Sequence, residues 1–270
     1  MNFIDKLLNI SQKNESLLCI GLDPNPDLIP KVSILEFNTA IIDATSDLVC
    51  AYKPNLAFYE ALGIEGMAIL QKTIEHIPDN IPIIGDAKRG DIGNTAKAYA
   101  KALFSTFDFD AATVNPYMGF DSIEPFISYH DKGIFILCRT SNPSAIDFQN
   151  LRCPTGTPLY KMVAHKAKEW NIYNNIGLVV GATYPDELRE LRSICPEMCL
   201  LIPGIGTQGG NLTLTISYGV DTQEKNAIIN VSRQILYASR ERDFAQAARN
   251  TAERIRNQIN SCLPSHLKAK

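Results

Sequence analysis

Eight short apolar, β-branched runs recur along this chain with helical patterns between them, and that alternation leaves few architectures open. The runs lie near Leu17–Asp23, Leu48–Asn55, Ile81–Lys88, Ala111–Pro116, Gly133–Arg139, Ile176–Thr183, Cys199–Gly206 and Ala227–Arg233. Between them, Ser33 and Glu36 have capping-box spacing ahead of Phe37, Ile41 and Ile42. Met67, Leu70 and Ile74 repeat at helical spacing after a segment that Gly63 and Gly66 mark as loosely structured. Gly219 is a stop for a helix around Leu212 and Ile216, and Phe244, Ala248, Ile255 and Ile259 mark a last helix. Eightfold strand–helix alternation predicts an α/β fold, a (β/α)8 TIM barrel formed by residues 1–270 as one domain. An open doubly wound sheet is the alternative.

Two additions to the barrel are legible. Residues 1–18 read as an amphipathic helix with Phe3, Leu7 and Ile10 on one side; their acids and lack of a long apolar block argue against a signal peptide. The connection from Thr140 to Asn175 is longer than a barrel needs and holds Pro143, Pro154 and Pro158, so a loop near the barrel mouth should precede a helix through Val163 to Trp170.

Composition excludes several classes of function. The net charge is −3 and no run of Lys or Arg occurs, which argues against a nucleic-acid surface. No apolar stretch approaches the roughly 20 residues needed to span a bilayer. The seven cysteines are odd in number and include no CxxC pair, and four of them (Cys19, Cys50, Cys138, Cys199) fall in apolar strand-like runs. Neither a disulfide framework nor a zinc site is expected, and the compartment reads as reducing, hence cytoplasmic.

In such a barrel the chemistry belongs at the C-terminal ends of the strands. Polar residues collect there: Asp23 after strand 1, Lys53 and Asn55 at strand 2, Asp86 and Lys88 at strand 3, Asn115 at strand 4, Arg139 to Asn142 at strand 5, Gly204 to Gly210 at strand 7, and Ser232 and Arg233 at strand 8. The densest segment is IPIIGDAKRGDIGNT, residues 81–95, where Asp86 and Lys88 are two apart and so share a face of an extended strand. Asp91 follows in a Gly-rich turn. Spacing alone leaves a structural ion-pair cluster open; the ring of other polar strand ends favours a site.

Charge decides what such a site could do. Lys88 has Asp86 beside it and Asp91 close in sequence, so it should stay an ammonium, a proton donor and a partner for developing negative charge. That environment is wrong for a Schiff-base lysine. Lys53 and Lys88 occupy space where Mg²⁺ would want oxygen ligands, so no metal and no cofactor are expected. GIGTQGG offers backbone N–H groups and Arg233 a cationic fork, a combination suited to phosphate, with Gln208 able to reach over it.

These residues describe a pocket that grips a phosphate on one side and stabilises a carbanion on the other. The chain resembles the orotidine 5′-phosphate decarboxylases, in their longer bacterial-type branch, through GLDPNPD (21–27), AYKPNLAFYE (51–60), GDAKRGDIGNTAKAY (85–99), TVNPYMG (113–119), TSNPS (140–144), PGIGTQGG (203–210) and NVSRQILYAS (230–239). The resemblance implies cofactor-free conversion of orotidine 5′-monophosphate to UMP and CO₂ in pyrimidine biosynthesis. It implies that Asp23 contacts the ribose or pyrimidine side, that Lys53 bonds the ribose and orients Asp86, that Asp86 lies against the substrate carboxylate, and that Lys88 protonates the carbon that loses CO₂. It further implies a homodimer in which Asp91 and Thr95 reach the partner's pocket, a pyrimidine contact from Ser141 (with Thr140 and Asn142 as neighbouring candidates), and phosphate contacts from Gln208 and Arg233. A Mg²⁺-dependent sugar-phosphate lyase on the same barrel would share Asp-x-Lys-x-x-Asp but carry a metal-binding Glu where this chain has Lys53. A catalytically silent nucleotide-binding protein is the remaining alternative.

Overall fold

The structure, a computed structural model, describes residues 1–205 and 211–265; Gln208 and the rest of the segment 206–210 lie outside them. Eight strands are present among the described residues: β1 (Leu18–Leu22), β2 (Ala51–Pro54), β3 (Ile84–Arg89), β4 (Ala111–Val114), β5 (Gly133–Arg139), β6 (Ile176–Val180), β7 (Leu200–Pro203) and β8 (Ala227–Val231). They pair in parallel in the order β2-β1-β8-β7-β6-β5-β4-β3. Bridges from Tyr52 to Ile83 and from Asn55 to Asp86 join the two ends of that order and close the barrel. The open-sheet alternative is thereby set aside. β1, β2, β4, β6 and β8 are buried along their whole length, as strands must be when one face fills the barrel and the other carries helices.

The helical signals map closely. Ser33 and Glu36 form a complete capping box on the helix Ile34–Thr45. One segment differs from expectation: a helix starts at Gly63 itself and runs to His76, with no loose stretch before Met67. Gly63 turns the chain with φ +67 after the short helix Leu56–Glu60. At Gly66 a Cβ would lie 2.0 Å from the Tyr59 carbonyl oxygen, so Gly63 serves the turn and Gly66 the close helix–helix approach, and neither marks disorder.

The helix Phe3–Lys13 buries Phe3, Leu7 and Ile10 and seals the N-terminal face of the barrel. A Cβ at Gly133, the first residue of β5, would sit 2.4 Å from the Phe3 ring, which also meets Phe135 edge-on at 5.7 Å. Lys6 pairs with Asp110 at 2.8 Å just before β4, tying the same helix to the neighbouring strand. Between β5 and β6 a 3-10 turn (Pro143–Asp147) leads into the helix Leu159–Trp170. All seven cysteines are free, and burial pushes the Cys19 and Cys199 thiols up to about 12, which leaves them inert core groups. Among the described residues no helix is long and apolar enough to cross a membrane.

Candidate active site

The last residues of β2, β3 and β4 bring three side chains onto one carboxylate. Lys53 reaches Asp86 Oδ2 with its Nζ at 2.6 Å, and Lys88 reaches Asp86 Oδ1 at 2.5 Å. Thr113 donates its hydroxyl to the same Oδ1 at 2.9 Å. The array is graded in depth: the side chains of Lys53 and Asp86 are 5% and 10% exposed, while that of Lys88 is 48% exposed at the open end of β3.

Strand alternation alone does not produce the contact between Asp86 and Lys88. β3 loses register against β4 between Gly85 and Arg89, and Lys88 takes φ +48. A non-glycine residue in the left-handed region is uncommon and concentrates at functional positions. The Lys88 N–H donates to Thr113 Oγ1 at 3.0 Å, so β4 supports the irregular turn through a side chain. The sequence pattern points to Asn115 as the polar end of β4 and gives Thr113 no role. Asn115 instead caps its own turn by accepting the Tyr117 N–H. The available signal was a lone polar residue inside the apolar run Ala111–Val114.

Burial by itself would raise the Asp86 pKa and lower that of Lys53. Lys53 and Lys88 nevertheless hold the Asp86 carboxyl well below the usual carboxylate range. Asp86 and Asp23 hold the Lys53 ammonium above its ordinary value. The buried pair is therefore charged throughout the neutral range.

Asp23 follows β1 at the same end. Its Oδ1 is buried and has no hydrogen-bond partner among the described residues. Its backbone is pinned by Tyr237, whose hydroxyl donates to the Asp23 carbonyl at 2.7 Å and accepts the Asn25 N–H at 2.8 Å. Tyr59 donates to the preceding Leu22 carbonyl at 3.1 Å. The backbone at the end of β1 is thus held in place, and Oδ1 is an acceptor able to take a hydroxyl or amide donor.

At the end of β5, Arg139 turns away from the mouth. It is fully buried, stacked at 3.8 Å on Tyr184 and paired with Glu187, so it braces the wall rather than the pocket. Thr140 is held by Gln149, whose amide accepts the Thr140 N–H at 2.9 Å and donates to its hydroxyl at 2.8 Å, and the Thr140 hydroxyl in turn donates to Asn142 at 2.7 Å. Ser141 lies between them with no hydrogen bond to its hydroxyl among the described residues. A Cβ at Gly181, the residue after β6, would come within 2.9 Å of Ser141, so this glycine lets Ser141 settle onto the strand ends. Arg233 opens the short helix Arg233–Leu236 directly after β8, and Ser232 before it bonds the Gly21 carbonyl at 3.2 Å.

Two expected site residues do not join the array. Asp91 accepts the N–H of its neighbour Ile92 at 2.8 Å, and Thr95 lies exposed in the first turn of the helix Gly93–Lys101. Among the described residues neither bonds Lys53, Asp86 or Lys88. They share an outward face with Ile92, which is 50% exposed, and Tyr99.

Comparison with known proteins decides the family. Residues 16–249 match the model of the orotidine 5′-phosphate decarboxylase / HUMPS family. The chain belongs to this family. An orotidine 5′-phosphate decarboxylase of Dehalococcoides mccartyi is 55% identical over 264 residues, covering 96% of this chain and 98% of that one. The solved structure of Leishmania donovani OMP decarboxylase superposes with a TM-score of 0.85 at 39% identity, covering 97% of this chain and 98% of that one. Leishmania donovani UMP synthase matches with a TM-score of 0.87 at 42% identity over 96% of this chain, which spans 57% of that longer protein.

Proposed function

We propose that this chain is a carboxy-lyase that converts orotidine 5′-monophosphate to UMP and CO₂ in pyrimidine biosynthesis, with Lys88 as the proton donor. The observation that carries the reading is the array in which Lys53 and Lys88 hold opposite oxygens of Asp86 at the barrel mouth. Decarboxylation breaks the bond between the pyrimidine carbon and the carboxylate, CO₂ leaves, and the bonding electron pair stays on the ring carbon. No ring position accepts that pair, so stabilisation must come from the protein. The Lys88 ammonium supplies a fixed positive charge where the negative charge appears, then transfers a proton to the carbon to complete UMP. Proton and charge balance without an added cofactor or metal.

The remaining residues take the roles that the resemblance to the family implies. Lys53 keeps Asp86 ionised and oriented, and Asp86 lies against the substrate carboxylate. Asp23 Oδ1 accepts from the ribose or pyrimidine side, and Ser141 contacts the pyrimidine. Arg233 at the end of β8 takes the phosphate together with Gln208. Binding of that remote phosphate contributes free energy used to order the array.

Asp91 and Thr95 are outward-facing in one subunit and complete the site of a second in a homodimer. Ile92, Tyr117 and Met118 on the neighbouring surface are 50%, 85% and 49% exposed, which is the character of a face that a partner covers. Seven free, mostly buried cysteines fit a reducing, cytoplasmic setting.

The test is loss of orotidine 5′-monophosphate absorbance with EDTA present. Metal-independent turnover supports the reading. No turnover, or turnover only after Mg²⁺ is restored, contradicts it and favours a sugar-phosphate lyase or a silent binder.

A further inference from the structure

We infer that Thr113 is a positioning residue that sets the backbone turn carrying Lys88, an inference that rests on the decarboxylase reading only for its kinetic consequence. Thr113 sits on β4 and is 1% exposed. Its hydroxyl donates to Asp86 Oδ1 at 2.9 Å and accepts the Lys88 N–H at 3.0 Å. A hydroxyl has one proton, and here it goes to Asp86, because an ionised carboxylate can only accept. The lone pairs are thereby left for the Lys88 amide. Both bond directions are fixed by chemistry.

The geometry gives this hydroxyl a task that strand pairing cannot perform. β3 and β4 lose register between Gly85 and Arg89, so the ladder provides no regular partner for the Lys88 amide. Lys88 also takes φ +48, a conformation that L-residues avoid unless neighbouring contacts hold it. Thr113 replaces the missing ladder acceptor, and the turn it holds returns the Lys88 ammonium to Asp86 at 2.5 Å. Thr113, Asp86 and Lys88 form a closed ring that fixes where the proposed proton donor stands. Small displacements of a reacting group carry large rate penalties, so the ring acts on rate rather than on substrate affinity.

Thr113→Val keeps the side-chain shape and removes both bonds, whereas Thr113→Ser keeps both. Loss of hydrogen bonds to charged groups predicts that Thr113→Val lowers kcat by about 10- to 100-fold. KM for orotidine 5′-monophosphate and affinity for UMP should change little, and Thr113→Ser should retain most of the rate. Hydrogen exchange of the Lys88 amide reads the same inference without turnover: it should be slow in wild type and Thr113→Ser and fast in Thr113→Val. If valine at 113 prevents folding, Thr113→Ala set against Thr113→Ser reads the same contrast. Unchanged Lys88 amide exchange on loss of the hydroxyl would overturn the inference, as would wild-type kcat in the valine variant. A wild type that does not decarboxylate, with the exchange pattern intact, would overturn the decarboxylase reading and leave the positioning role standing.

Discussion

Asn55 bridges to Asp86 across the seam between β2 and β3, so the contact that closes the barrel also fixes the backbone that carries the carboxylate at the centre of the site. Fold and chemistry are joined at one residue pair. A side chain two residues before Asn55, Lys53, then reaches the same carboxylate from the same strand end.

The charge state of Asp86 should be visible in stability. Its folded-state pKa is depressed, so its contribution is complete above the unfolded value of about 4 and disappears as pH falls toward the lower folded value. Asp86→Asn leaves Lys53 buried without its charged partner and should cost about 3 kcal/mol near neutral pH. Urea unfolding of both proteins should show that difference constant from pH 5 to 8 and shrinking below about 4. A difference that grows in acid would contradict the assignment.

Arg233 is expected to recognise the phosphate. Arg233→Ala should lower kcat/KM for orotidine 5′-monophosphate by about 10- to 100-fold, chiefly through KM. The far slower reaction of orotidine, which lacks the phosphate, should be unaffected. Equal losses on both substrates would remove Arg233 from that role.

Sharing of sites between subunits can be tested by mixing. Asp91→Ala and Lys88→Ala chains should each be inactive alone. When unfolded and refolded together, random pairing places one intact site in half of the dimers and restores about a quarter of wild-type activity. Mixtures that stay inactive, or an Asp91→Ala protein with normal turnover, would argue for sites built within one chain.

The N-terminal helix should matter for stability and not for chemistry. Phe3 is buried against Gly133 on the face opposite the site. Phe3→Ala should lower unfolding free energy by about 3–5 kcal/mol while kcat and KM stay near wild type. Parallel losses in kcat at temperatures well below unfolding would show coupling between the two faces.

How much of this was legible beforehand depended on whether a feature is local. The strands could be read because each is a short, mainly apolar run bounded by helical spacing, and all eight appear within a few residues of their expected limits. The strand-end residues could be read because a barrel gathers them by construction. The role of Gly66 could not, since its reason is the Tyr59 carbonyl against which the helix packs. Thr113 was passed over because its value comes from a register shift in the neighbouring strand, which no periodicity within β4 records. Arg139 looked like a pocket residue by position, yet Tyr184 and Glu187 from a later segment draw it into the wall.

The most direct measurement is single-turnover decarboxylation of orotidine 5′-monophosphate by wild type and Lys88→Ala, with UMP affinity measured alongside. The account predicts rapid turnover by wild type, loss of at least about a thousandfold in the variant, and UMP affinity changed far less, because the ammonium acts on charge that develops only during reaction. A Lys88→Ala enzyme that keeps its rate, or loses rate and UMP binding in equal measure, would contradict the assignment of Lys88 as the group that stabilises and protonates the carbanion.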